Sequence, residues 1–153
     1  MSAPAAAKAA KVALVAACQS LWPQPVLVTY GPAGSYEAPD QVEILGLEFT
    51  EDAPRIGTLR RRWHKFTIDG RITIDRGGGA EVQQIATERA LDMLDELAAY
   101  LQDSGVVGSG RNTLGGTVHW SRVSEFQLRE EPDDVVEGRD AQVDFTVSGE
   151  VVA

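Results

Sequence analysis

The chain has 153 residues, 43% of them hydrophobic, which is enough for one core of ordinary size. Its formal net charge of -9 and pI near 4.6 argue against a protein that holds nucleic acid by its phosphates, because that affinity comes from Lys and Arg displacing counterions. A single cysteine, Cys18, excludes an internal disulfide, and no run approaches the roughly 18 apolar residues that span a bilayer, so no membrane partner is expected.

Ala5 to about Leu21 is rich in strong helix formers and stops before Trp22-Pro23-Gln24-Pro25, where two prolines prevent continuation. Lys8 and Lys11 followed by Leu14-Val15-Ala16-Ala17-Cys18 imitate a lipoprotein signal, but the apolar part is shorter than the roughly 7 to 15 residues of a signal core. The expectation is an amphipathic helix that packs Val12, Val15 and Cys18 in a cytosolic chain with an intact amino terminus.

Val26 to Tyr30, β-branched and bounded by proline and glycine, predicts a first, well-buried strand, with a loop from Gly31 to Asp40. Val42 to Glu51 predicts a second. Its apolar parity switches between Val42 and Ile44 on one phase and Leu47 and Phe49 on the other, so a bulge is expected near Gly46. From Trp63 to Asp75 the residues Phe66, Ile68, Ile72 and Ile74 share one parity, against Lys65, Thr67, Asp69, Arg71, Thr73 and Asp75. That pattern favours one long strand with a bulge at Gly70 over a hairpin turning at Asp69-Gly70.

Gly77-Gly78-Gly79 breaks the ladder, and from Ala80 the period becomes helical, with Ile85, Ala86, Ala90, Met93, Leu94, Leu97, Ala98 and Leu101 in one stripe. Glu81 suits the positive helix end and Gly105 a left-handed stop. Each of Ile85, Leu94, Leu97 and Leu101, if fully buried, contributes roughly 1.5 to 3 kcal/mol. Gln102 to Gly116 holds five glycines and reads as the most flexible internal segment. Val118, Trp120, Ser124, Phe126 and Leu128 share a parity around Arg122 and predict a fourth strand. An acidic loop from Glu130 to Asp140 precedes a last strand, in which Ala141, Val143, Phe145, Val147, Gly149 and Val151 alternate with polar residues. Helix, three strands, helix, two strands predicts an α+β fold, an antiparallel-rich mixed sheet of about five strands with two main helices packed on it, in a single domain. Residues 1–25 form its helix and proline-rich link, and 26–153 its body.

Catalytic signals are weak. His64 and His119, each beside a tryptophan in a predicted strand, have no metal-ligand spacing with Cys18, and structural roles are the expected ones. The triple glycine lacks the lysine and hydroxyl residue of a phosphate loop, and Asp92, Asp95 and Glu96 fall on a solvated helix face. Arg60, Arg61 and Arg62 stand out in an acidic chain, and Arg111 lies in the glycine-rich loop. Either they are simply solvated, or they form an interface in which the basic strand end of one subunit meets Asp133, Asp134 and Glu137 of the next.

Leu27-Val28-Thr29-Tyr30-Gly31-Pro32, Arg76-Gly77-Gly78-Gly79 leading into Gln83 to Leu94 with Ala86-Thr87-Glu88-Arg89-Ala90, and Leu114-Gly115-Gly116-Thr117-Val118-His119-Trp120 resemble tail terminator proteins of long-tailed bacteriophages infecting actinobacteria. The resemblance covers most of the chain from Val26 onward and rests on structural motifs. It implies a virion protein, assembled in the host cytoplasm, that forms a ring of six subunits on a finished tail tube, stops tube growth and joins the head-side connector or stopper protein. It implies no enzyme activity, no catalytic residue and no cofactor. DNA would pass through such a ring without specific binding, which a negative surface permits. Arg60 to Arg62 and the Gly105 to Gly116 loop are carried as interface regions, the triple arginine being an inference from charge and not a family signature. Two alternatives stay open: another head-tail connector or tail completion ring protein, and a small-molecule binding module or enzyme with a pocket near Trp63, His64, His119 and Trp120.

Overall fold

In a computed structural model the chain is described at residues 2–34, 38–51, 63–103, 110–133 and 138–152, with backbone alone at 51, 131–133, 138, 139 and 152. The order is α1 (Ala3–Leu21), β1 (Leu27–Tyr30), β2 (Asp40–Glu51), β3 (Trp63–Gly77), α2 (Gln83–Gln102), β4 (Trp120–Asp133) and β5 (Gly138–Val152), with short 3-10 turns at Ala80–Val82 and Arg111–Thr113. The five strands form one sheet in the order β1-β2-β3-β5-β4, antiparallel except for the β1–β2 pair. This is the expected α+β architecture. Both helices pack on one face, and the core there draws on every strand's inward parity.

β3 and β5 dictate the centre. Phe66, Ile68, Ile72 and Ile74 from one strand and Ala141, Val143, Phe145 and Val147 from the other are all buried, and the two strands pair without interruption from Trp63↔Val152 to Gly77↔Gly138. Gly70 carries no bulge on β3. A Cβ there would lie 2.3 Å from Cζ of Phe145, its cross-strand partner, so the glycine makes room for that ring. The bulge lies on β2, where the register shifts between Ile44 and Leu47 around Gly46, as the parity switch predicts.

α2 buries Ala86, Ala90, Met93, Leu94, Leu97 and Leu101. Ile85 does not join them and is 56% exposed. At 3.6 residues per turn it points about 130° from the centre of that stripe, a divergence one residue's shift produces. The same geometry exposes Val12 on α1, whose buried stripe is Ala6, Ala10, Leu14, Val15, Ala17 and Cys18. Helix α1 begins two residues earlier than expected, because the Ser2 hydroxyl caps Ala5 N–H at 3.4 Å. Gly105 lies outside the described residues; α2 ends at Gln102, capped by Asp103, whose N–H donates to the Tyr100 carbonyl.

Three further expectations change. β1 is an edge strand with only Val28 buried and Tyr30 57% exposed, because it pairs with β2 alone. The shared parity of Val118, Trp120, Ser124, Phe126 and Leu128 is broken by a register shift between Val123 and Glu125. Val123 opposite Val147 and Phe126 opposite Phe145 therefore face the helices, while Trp120 opposite Glu150 faces away. The acidic loop also shortens, since the β4–β5 ladder continues to Asp133↔Gly138. Pro132, on this edge, needs no outer ladder partner.

Candidate interaction surfaces

The sheet face away from the helices carries the alternate residues of β3, β5 and β4, and apart from Trp63 and Trp120 near one end the described ones are polar. On it, Arg71 Nε donates to Asp144 Oδ1 at 2.8 Å and Arg129 reaches Asp144 Oδ2 at 2.9 Å, spanning three adjacent strands. Burial would raise the Asp144 carboxyl, but the hydrogen bond and charge of Arg71, aided by Gln142 and Arg129, hold it below the ordinary carboxylate value. Thr146 links Asp69 at 3.1 Å with Glu125 at 3.4 Å. These contacts border a shallow depression of about 410 Å³.

One end of this face is covered. Because β1 and β2 run parallel, the chain after Tyr30 must return along the strand before β2 can start. There the Ala33 N–H donates to Glu43 Oε2 at 3.1 Å, and both Gln41 and Glu43 are buried. That is why β2 shows four consecutive buried residues, Gln41 to Ile44, with no alternation.

Asp40, at the start of β2, ties the layers together. Arg76 Nη1 from β3 lies 2.5 Å from one oxygen, and Arg89 Nε from α2 lies 3.2 Å from the other. Burial would raise this carboxyl too, and the two guanidinium groups, Arg76 foremost, bring it below the ordinary value. Arg89 also stands 3.8 Å from Glu96, which accepts a hydrogen bond from the Trp22 indole N–H at 3.1 Å. The line runs from sheet to α2 to the end of α1.

Arg60, Arg61, Arg62, Asp134 and Glu137 lie outside the described residues, and Asp133 is described only as the last backbone position of β4. Arg111 is exposed beside the end of α2. Its guanidinium sits 5.0 Å from the Tyr100 ring centroid and 3.8 Å from Asp103, folded back on the end of α2. Residues 104–109 of the segment expected to be flexible lie outside the described residues; from Gly110 to Val118 the chain is a hydrogen-bonded turn built on buried Thr113, whose hydroxyl donates to Gly110 O at 2.6 Å and accepts from Gly116 N at 3.2 Å. Leu114, at φ 49°, continues that turn in the left-handed region, and its side chain is buried.

Trp63, His64, His119 and Trp120 do not line one pocket. Adjacent strand residues point to opposite faces, so His64 is buried on the helix side, 5.1 Å from the Phe49 ring, while Trp63 meets His119 edge-on at 5.1 Å. Trp120 donates to Glu150 at 3.2 Å on the outer face. Neither a protein-family model nor a curated protein sequence matches this chain. Among the described residues no group of three or more His, Cys, Asp or Glu side chains could hold a metal ion, and no helix is long and apolar enough to cross a membrane. Cys18 is fully buried within α1, and burial pushes its thiol up to about 12.

Proposed function

We propose that this protein is a structural ring subunit, a tail terminator that caps a phage tail tube, stops its polymerisation and offers a joint to the head-side connector. The reading starts from the motif resemblance around Leu27 to Pro32, Arg76 to Leu94 and Leu114 to Trp120. The observation that carries it furthest is a sheet whose two end strands, β1 and β4, each pair on one side only among the described residues, with a charged face opposite the helices. Such a subunit has laterally placed surfaces at which neighbours can be added without rearranging its core. The net charge of -9 suits a ring through which DNA moves without adhering. A head-tail connector would use the same architecture, and the choice between them depends on which partner the ring binds. Negative-stain imaging of the protein mixed with purified tail tubes tests this: rings seated at one tube end are expected. Decoration along tube sides, or no binding, would remove the terminator reading.

A further inference from the structure

Two surfaces at opposite ends of the sheet complement one another. At the β4 end, a groove of about 600 Å³ runs between that strand and α2, walled by Leu91, Leu94, Ala98, Val123 and Phe126, with Asp95 on its rim. Phe126 is 59% exposed there although it faces the helix-covered side of the sheet, opposite Phe145. Glu88, Asp92 and Asp95 recur at helical spacing and are all exposed, so one flank of the groove is a row of carboxylates.

At the β1 end the chemistry is reversed. Helix α1 contains Lys8 and Lys11 and no acidic residue. Lys11 Nζ sits 4.1 Å from the ring centroid of Tyr30, so helix and edge strand form one continuous patch. Lys8, Lys11 and Val12 stand at spacings of three and four residues, which places them together on the helix surface. Val12 and Tyr30 are among the few large apolar side chains left exposed, at 49% and 57%. A cationic, aromatic and aliphatic knob thus stands at one end of the sheet, and an apolar groove with an acidic rim at the other.

We infer that the α1–β1 edge of one copy docks into the α2–β4 groove of a second copy, with Tyr30 and Val12 covering Phe126 and the apolar wall while Lys8 and Lys11 face Glu88, Asp92 and Asp95, the acidic row of α2. The occupant is a second copy because the charge pattern missing from each surface is present on the other. The two patches differ, so the contact is heterologous and repeats from copy to copy, which is what a closed ring needs. The inference rests on the ring reading for its closure and deepens it by naming the surfaces.

Sedimentation velocity at low salt tests the docking on three samples: a Lys8→Glu/Lys11→Glu variant, an Asp92→Lys/Asp95→Lys variant, and an equimolar mixture of both. Each variant alone is expected to self-associate about tenfold or more weakly than the wild type. The mixture should recover association, since each altered edge then meets its complement, and a folding defect would not be cured by mixing. Wild-type association by either variant, a mixture that stays dissociated, or a wild-type chain still monomeric at millimolar concentration would overturn the inference. Tube capping separates the two ideas. Variants that cap tubes as well as wild type remove the docking contact and leave the terminator reading. Charge-sensitive self-association of a protein that ignores tubes does the reverse.

Discussion

Replacing Gly70 with alanine sets two physical effects of opposite sign against each other. In a strand interior, backbone entropy favours alanine over glycine by roughly 0.5 to 1 kcal/mol. Against that, the added methyl would lie 2.3 Å from Cζ and 2.7 Å from both Cε atoms of Phe145, far inside the roughly 3.5 to 4.0 Å at which carbon atoms rest in contact. The Phe145 ring is buried in the core directly across from Gly70 and has to tilt against its neighbours, an overpacking that costs about 1 to 3 kcal/mol. The clash wins, and the net loss is about 1 to 2 kcal/mol. With a urea m-value of about 2 kcal/mol/M, that lowers the unfolding midpoint by about 0.5 to 1 M. Phe145→Leu should relieve it, so in a double-mutant cycle the pair should cost at least about 0.5 kcal/mol less than the sum of the singles. A Gly70→Ala protein as stable as wild type, or additive effects in the cycle, would refute the account of this glycine.

The corrected face of α2 makes a second prediction: Leu97→Ala should cost about 2 to 5 kcal/mol, whereas Ile85→Ala should stay within about 0.5 kcal/mol, both read from urea midpoints. For Asp40, the lowered carboxyl means that its contribution is complete above the unfolded value of 3.8 and is lost as pH falls through the lower folded value. Asp40→Asn should therefore cost about 1 kcal/mol at neutral pH, a figure kept small for solvent screening, and the gap from wild type should close at strongly acid pH. A gap independent of pH would assign the loss to packing.

Strands with one wet face were legible because their alternation survives in the sequence: β5 and β3 were readable residue by residue, and so was the bulge at Gly46, where the parity visibly switches. The bulge near Ser124 was hidden, since Val118, Trp120, Ser124, Phe126 and Leu128 keep an even spacing that the extra residue then divides between two faces. Ile85 and Val12 were misassigned for a related reason: on a helix, one position separates the edge of the buried stripe from solvent. The placement of β1 beside β2 was unreadable because pairing is decided by the whole sheet. So was the Asp40 cluster, whose arginines lie 36 and 49 residues away along the chain. Of the candidate interface residues, Arg111 belonged to an ordered turn, because Thr113 supplies hydrogen bonds that a glycine-rich composition does not announce. The α2–β4 groove needed the fold, since its walls come from segments with no common pattern.

The alanine content of α1 leaves its hold on the body uneven. Among the described residues ahead of Leu14 only the methyl groups of Ala6 and Ala10 are buried, whereas Leu14, Val15, Cys18 and Trp22 anchor the later turns. A methyl removes roughly 0.8 kcal/mol of unfavourable hydration, a leucine two to four times as much, so the opening turns should peel away before anything else loosens. Lys8 and Lys11 ride on that less firmly gripped half, and whatever clasps them also fastens the beginning of the chain.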